Sequence, residues 1–131
     1  EIYLRGFEIA IKESQPMCIM TSYNEINGVH SANNADLCTE IARREWRFQG
    51  VIMTDWATTL DFGGADAAGC VAAGNDLIMP GATSDLENIE QAYAEGRLSE
   101  ADIRSSAERV LNIVLRTNGY ADATSYYTRF A

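Results

Sequence analysis

Gly50-Val51-Ile52-Met53-Thr54-Asp55-Trp56 is a short apolar run that ends abruptly in a hydroxyl, a carboxylate and an indole. Its hydrophobicity is continuous and does not alternate, as a parallel strand covered on both faces requires. In sheets of that kind ligands gather at the carboxyl ends of the strands, so the run reads as a buried strand delivering Asp55 to its mouth. A carboxylate next to an indole is a pair suited to handling sugars. From this segment alone a second reading stands beside the first: Asp55 caps the helix that follows, a common duty of Asp.

The flanking motifs weigh between the two. Upstream lie CIMTSYNEINGVH (Cys18 to His30) and EWRFQG (Glu45 to Gly50), and downstream lies AGNDLIMPG (Ala73 to Gly81). Taken in order with Thr54-Asp55-Trp56, these closely resemble glycoside hydrolase family 3, the β-glucosidase and β-xylosidase type. In that family a strand ending in SYN-x-x-NG leads through a helix and a Gly-Phe-x-Gly turn to a strand ending in Ser/Thr-Asp-Trp. An AG-x-D-x-x-MPG strand comes later. The one departure is Arg47 in Arg47-Phe48-Gln49-Gly50, where the family usually has Gly. It touches the turn and not the site. The opening EIYLRGFE, Glu1 to Glu8, is similar to the helix preceding the SYN strand, and the resemblance runs to about Asn118.

Three strand candidates, Cys18 to Tyr23, Gly50 to Trp56 and Asp76 to Met79, are each followed by a helical stretch, which predicts an α/β fold of consecutive βα units. A closed (β/α)8 TIM-type barrel takes about 250 residues, so a chain of 131 residues holds about half of one. The resemblance implies the C-terminal part of such a barrel domain, about its last three βα units, over residues 1–119. Residues 120–131 lack periodicity and read as a tail or interdomain linker.

The helices are expected to cover the strands. Ile2 to Glu13 favours a helix despite Gly6, and Asp36 to Trp46 is amphipathic, with Asp36 or Asn34 as its cap. Asp61 to Ala73 is a weaker helix of small residues that Gly74 stops, and Leu86 to Glu95 ends at Gly96. Ser99 opens the longest helix with Asp102 in the manner of a capping box, and Asn118-Gly119 ends it. Its stripe of Ile103, Ala107, Val110, Leu111, Val114 and Leu115 is expected to serve core packing or a domain contact.

A formal net charge of -9 argues against nucleic acid as a partner. The sequence holds no run of about twenty apolar residues that would span a membrane. Composition thus leans towards a soluble, cytoplasmic setting without identifying a substrate. The odd, widely spaced Cys18, Cys38 and Cys70 suggest buried thiols and neither a disulfide framework nor a metal site. His30, the one histidine, lacks metal-site spacing and is assigned to a surface or loop-packing role. No cofactor is implied.

Retaining glycoside hydrolysis needs two carboxyl groups about 5 to 5.5 Å apart, one attacking the anomeric carbon and one protonating the leaving oxygen. By resemblance Asp55 is the catalytic nucleophile, and Trp56, Tyr23 and Met20 bind the reacting sugar. Without it, Trp56 and Met20 are equally core residues and Tyr23 a strand-end aromatic. None of Glu25, Glu40, Glu45, Asp61, Asp66 or Asp76 takes the acid/base role. In two-domain relatives that residue is a Glu on the second domain, so the rest of the parent enzyme is the expected partner, with a β-linked oligosaccharide or glycoside as substrate. Asn24, Asn27 and Gly28 read as a tight loop, Asn75-Asp76 and Pro80-Gly81 as shaping the mouth of the third strand, with Asp76 an acceptor behind it. Two alternatives remain: a β-N-acetylhexosaminidase of the same family, against which Trp56 and the SYNEING motif count, and a non-catalytic carbohydrate-binding or scaffold fragment.

Overall fold

A computed structural model describes residues 2–60 and 63–117. Val51-Ile52-Met53 forms a strand, β4, and pairs in parallel with β1, Cys18–Met20, in the register Cys18 to Val51, Ile19 to Ile52 and Met20 to Met53. Helix α1, Arg5–Ser14, precedes β1, and the π-helix Asp36–Glu45 connects the two strands. Helices α2, Ala67–Ala73, α3, Thr83–Ala94, and α4, Glu100–Arg116, follow. The α/β expectation, parallel strands under helices, is met.

The apolar faces explain the layering. Ile11 of α1, Cys38, Ala42 and Trp46 of the π-helix segment, and Phe48 close over Ile52 of β4. Ile52 is almost wholly buried, a burial that contributes about 2 kcal/mol. A second cluster, Ala68, Val71, Ala92 and Leu98, joins α2 to α3 and takes in Ile78 and Ile103. Small residues on α2 permit that close approach, and Gly74 ends the helix at φ 99°.

The strands are shorter than the sequence predicts, and the third is the most reduced. Asp76 to Met79 makes only a single parallel bridge, Leu77 to Met53. Side chains take over part of its ladder: the Asp76 carboxylate accepts from Ile52 N, and Met79 N donates to the Thr54 hydroxyl. Pro80, next in line, has no N–H to offer. The loop after β1 also differs from a plain turn. Asn27 and Gly28, at φ 53° and 77°, form the two-residue turn of a hairpin between β2, Glu25–Ile26, and β3, Val29–His30.

Other connections tie the first βα unit to the second. His30 Nε2 meets Gly63 O at 2.7 Å, while its Nδ1 accepts from Ala32 N. Asn33 Nδ2 donates to Asp66 O at 2.7 Å and its Oδ1 accepts from Asp66 N at 3.0 Å. His30 therefore has the expected packing role but not the surface one: it ends β3 and is buried against the Gly63 segment. Asn34, and not Asp36, caps the π-helix through Leu37 N, and Ser99 with Asp102 forms the expected capping box on α4.

One expectation needs correcting. Cys38 and Cys70 are buried, whereas Cys18 is exposed, because it shares with Met20 the face of β1 opposite the Ile52 cluster. Of the α4 stripe, Ile103 packs in the core and Leu111, Val114 and Leu115 are exposed, so the expectation of core packing holds for Ile103 and the exposed three stay available for a domain contact. Asp61, the Asn118-Gly119 helix stop and the tail over 120–131 lie outside the described residues.

Candidate active site

The backbone that presents Asp55 is held on both sides. Thr21 N donates to Met53 O at 2.9 Å, continuing the β1 ladder, and Thr54 N donates to Leu77 O at 2.9 Å on the other edge. Thr54 itself is buried, its hydroxyl accepting from Met79 N at 2.9 Å. Ala57, at φ 60°, turns the chain sharply and sends its N–H to Met79 O at 2.7 Å. Asp55 and Trp56 thus stand on a fixed ledge at the carboxyl end of β4.

The capping reading of Asp55 fails here. The segment after it is a turn, and the next helix, α2, is capped by Asp66, whose carboxylate accepts from Gly69 N at 2.7 Å. Asp55 Oδ1 instead accepts from Trp56 N at 2.6 Å, and Thr58 Oγ1 donates to Asp55 O at 2.9 Å. The residue is half-buried, its carboxylate held by its own loop.

Tyr23 reaches the same place from the end of β1. Its hydroxyl donates to Trp56 O at 2.5 Å. Partial desolvation, and then the Asp55 carboxylate beside it, raise the phenol above its ordinary range, so it stays protonated and able to donate. Trp56 and Met20 are 59% and 54% exposed. Met20 lies opposite Met53 in the register, beneath the mouth. Asp55, Trp56, Tyr23 and Met20 therefore share the carboxyl end of one parallel pair.

The other carboxylates are engaged elsewhere. Glu40 pairs with Arg44 on the outer face of the π-helix, Glu45 is exposed there, and Asp66 is a cap. Glu25 sits exposed in the hairpin. Asp76 is buried between Arg43 and Arg109. Among the described residues no group of His, Cys, Asp or Glu is arranged to hold a metal ion.

Sequence reasoning missed two supports of this mouth. Thr54 reads as a motif residue, yet its hydroxyl completes the ladder. Asn75 reads as a turn former, yet it is wholly buried, with Nδ2 donating to Ala32 O at 2.9 Å and to Thr21 Oγ1 at 3.3 Å. An Asn next to a Gly signals a turn, and only the fold shows where its amide goes. Two grooves among the described residues lie away from Asp55. One groove runs between α1 and the π-helix, lined by Leu4, Glu8, Ile41 and Trp46, and another between α2, α3 and α4, lined by Val71, Ile89, Ile103 and Leu111. At the mouth, Met20, Tyr23 and Trp56 are open to solvent.

Residues 1–113 match the family described as Glycosyl hydrolase family 3 N terminal domain. A β-glucosidase of Ruminococcus albus is 38% identical over 128 residues, covering 92% of this chain and 14% of that protein. An exo-α-(1→6)-L-arabinopyranosidase of Bifidobacterium breve is 38% identical over 126 residues, covering 96% of the chain and 16% of that protein. The solved structure of β-glucosidase 3B from Thermotoga neapolitana in complex with α-D-glucose superposes with a TM-score of 0.82 at 35% identity, covering 93% of this chain and 18% of that one. The chain thus spans about one seventh of the length of the curated relatives it matches.

Proposed function

Because the chain belongs to glycosyl hydrolase family 3, we propose that it is part of an exo-acting, retaining β-glycosidase of the β-glucosidase type, to which it contributes the catalytic nucleophile, Asp55. The observation that carries this reading is the single ledge at the carboxyl end of β4, where a half-buried Asp55 stands with the Tyr23 phenol and an exposed Trp56. The β1–β4 parallel pair would then belong to a (β/α)8 barrel, with residues 1–119 as about its last three βα units and 120–131 as a tail or linker.

In the proposed reaction an oxygen of Asp55 attacks the anomeric carbon as the bond to the leaving oxygen breaks. A carboxylic acid outside this chain supplies that oxygen with its proton. Water, giving its proton to that same group outside this chain, then attacks the anomeric carbon of the glycosyl ester, frees the sugar and regenerates the Asp55 carboxylate. Tyr23, protonated, donates near the nucleophile, and Trp56 gives the pyranose a flat apolar face. Met20 lines the same subsite.

The test is made in the full-length enzyme. Asp55→Asn should lower kcat by at least on the order of 10³-fold with the fold intact, since the amide is nearly isosteric but a poor nucleophile. Trp56→Ala should raise KM roughly 3- to 10-fold and slow turnover less. A 2-deoxy-2-fluoro glucoside should trap the ester, and peptide mapping by mass spectrometry should find it on Asp55. A label on another residue, or full activity in Asp55→Asn, ends the assignment.

A further inference from the structure

Behind the strand that carries Asp55 lies a carboxylate with no part in that chemistry. The Asp76 side chain is 0% exposed. Oδ2 accepts from Ile52 N at 2.9 Å and from Arg43 Nη2 at 2.6 Å, and Oδ1 accepts from Arg109 Nε at 2.7 Å. Taking such charges out of water costs desolvation that their attraction only partly offsets, and well-packed apolar residues often hold a fold as well. Stability alone gives little reason to place an anion and two guanidinium groups here.

Register gives a better one. The main chain at Asp76 and Leu77 also binds Ile52, with N–H groups donating to Ile52 O at 2.7 and 3.2 Å. Ile52 is therefore held at both its N–H and its C=O by one neighbour. Just downstream the same segment brackets Asp55 through Thr54 N to Leu77 O and Ala57 N to Met79 O. The third strand has only a single bridge, and the Asp76 carboxylate adds a buried side-chain bond to the few main-chain bonds that set its height against β4. A slip of one residue would turn every side chain of a strand to the opposite face and carry Asp55 out of the mouth. Arg43 comes from the π-helix and Arg109 from α4, and Arg43 also donates to Gly50 O and Gly74 O, so two covering helices lock the same carboxylate.

We propose that Asp76 is a positioning residue for Asp55: a buried anion, clamped by Arg43 and Arg109, that sets the register of β4 on the segment bracketing its mouth. The proposal rests on the reading of Asp55 as nucleophile.

The full-length wild type, Asp76→Asn and Arg109→Lys are titrated with a 2-deoxy-2-fluoro glucoside bearing a good leaving group, which counts the sites able to form the ester. Turnover is then expressed per titrated site. In Asp76→Asn kcat per site should fall about 10-fold, the trapping rate should fall in parallel, and KM should stay close to that of the wild type. A structural role alone would give fewer titratable sites and a lower Tm with kcat per site unchanged, and that result overturns the proposal. If Asp76→Asn does not accumulate as folded enzyme, Arg109→Lys, which keeps the charge but moves the donor off Oδ1, decides by the same two outcomes, with an expected drop of about 3-fold. A wild-type label away from Asp55 would overturn the nucleophile reading and this proposal with it. Unchanged kcat per site with the label on Asp55 overturns this proposal alone.

Discussion

At Arg47 the backbone sits at φ 59°, a left-handed conformation that costs a residue with a Cβ about 1–2 kcal/mol. The turn it makes is closed by Gly50, where a Cβ would come within 2.5 Å of Met17 O and of the Phe48 ring. The glycine usual at position 47 of the resembled motif therefore has a backbone reason, and Arg47 carries the strain in its place. Arg47→Gly should raise stability by about 1 kcal/mol, read as a higher urea midpoint; a lower midpoint would show that the Arg side chain contributes more than its backbone loses. The buried thiols carry a different prediction. Burial pushes Cys38 up to about 11 and Cys70 to about 12 from an ordinary 9.0. Both stay protonated in the fold while the unfolded chain ionises, so their stabilising effect is complete below about pH 9 and is lost as pH rises through 11 to 12. The urea midpoint should fall between pH 8 and pH 10 more steeply in the wild type than in a Cys38→Ala/Cys70→Ala variant, and equal slopes would refute the assignment. The place of Asp55 at a strand end was legible because an apolar run names its own mouth, whereas the binding roles of Trp56, Tyr23 and Met20 came from the resemblance. Asp76 was expected as an acceptor, but its partners Arg43 and Arg109 were not, because they come from distant helices and no local pattern joins them.

Among the elements, α4 is the one most fully written in the sequence. Ser99 and Asp102 satisfy each other's main chain, with Asp102 N donating to Ser99 Oγ at 3.2 Å. Ser99→Ala should cost about 1 kcal/mol, seen as a lower Tm, and an unchanged Tm would mean that Asp102 alone suffices. The π winding of Asp36–Glu45, marked by Trp46 N donating to Ile41 O, carries no periodic signature distinct from an α-helix over so short a span. The third strand was overread for a related reason. Hydrophobicity in Leu77-Ile78-Met79 reports burial, whereas a ladder needs free main-chain partners, and Asp76, Thr54 and Pro80 remove them.

For the whole molecule, α/β layering was legible from the alternation of strand and helix, and an open strand edge from a length that holds only about half a barrel. Strand β1 is paired on one edge only among the described residues, and Ile2, Tyr3, Phe7, Leu111, Val114 and Leu115 are exposed. Unpaired edges and apolar patches seek partners. The isolated chain should therefore self-associate and fail to turn over 4-nitrophenyl β-glucoside; light scattering from a stable monomer over a wide concentration range would contradict this. The contacts between the two βα units hold a further consequence. Met20 lies opposite Met53, Tyr23 meets Trp56, His30 meets Gly63 and Asn33 meets Asp66, and every pair is separated by 33 positions. Closing the chain once brings all of them together, so the later ones form with almost no added loop entropy. The same uniform offset makes length the vulnerable quantity: one residue gained or lost between 34 and 50 would put all four pairs out of step, whereas one at Thr59 or Leu60 would shift only His30–Gly63 and Asn33–Asp66.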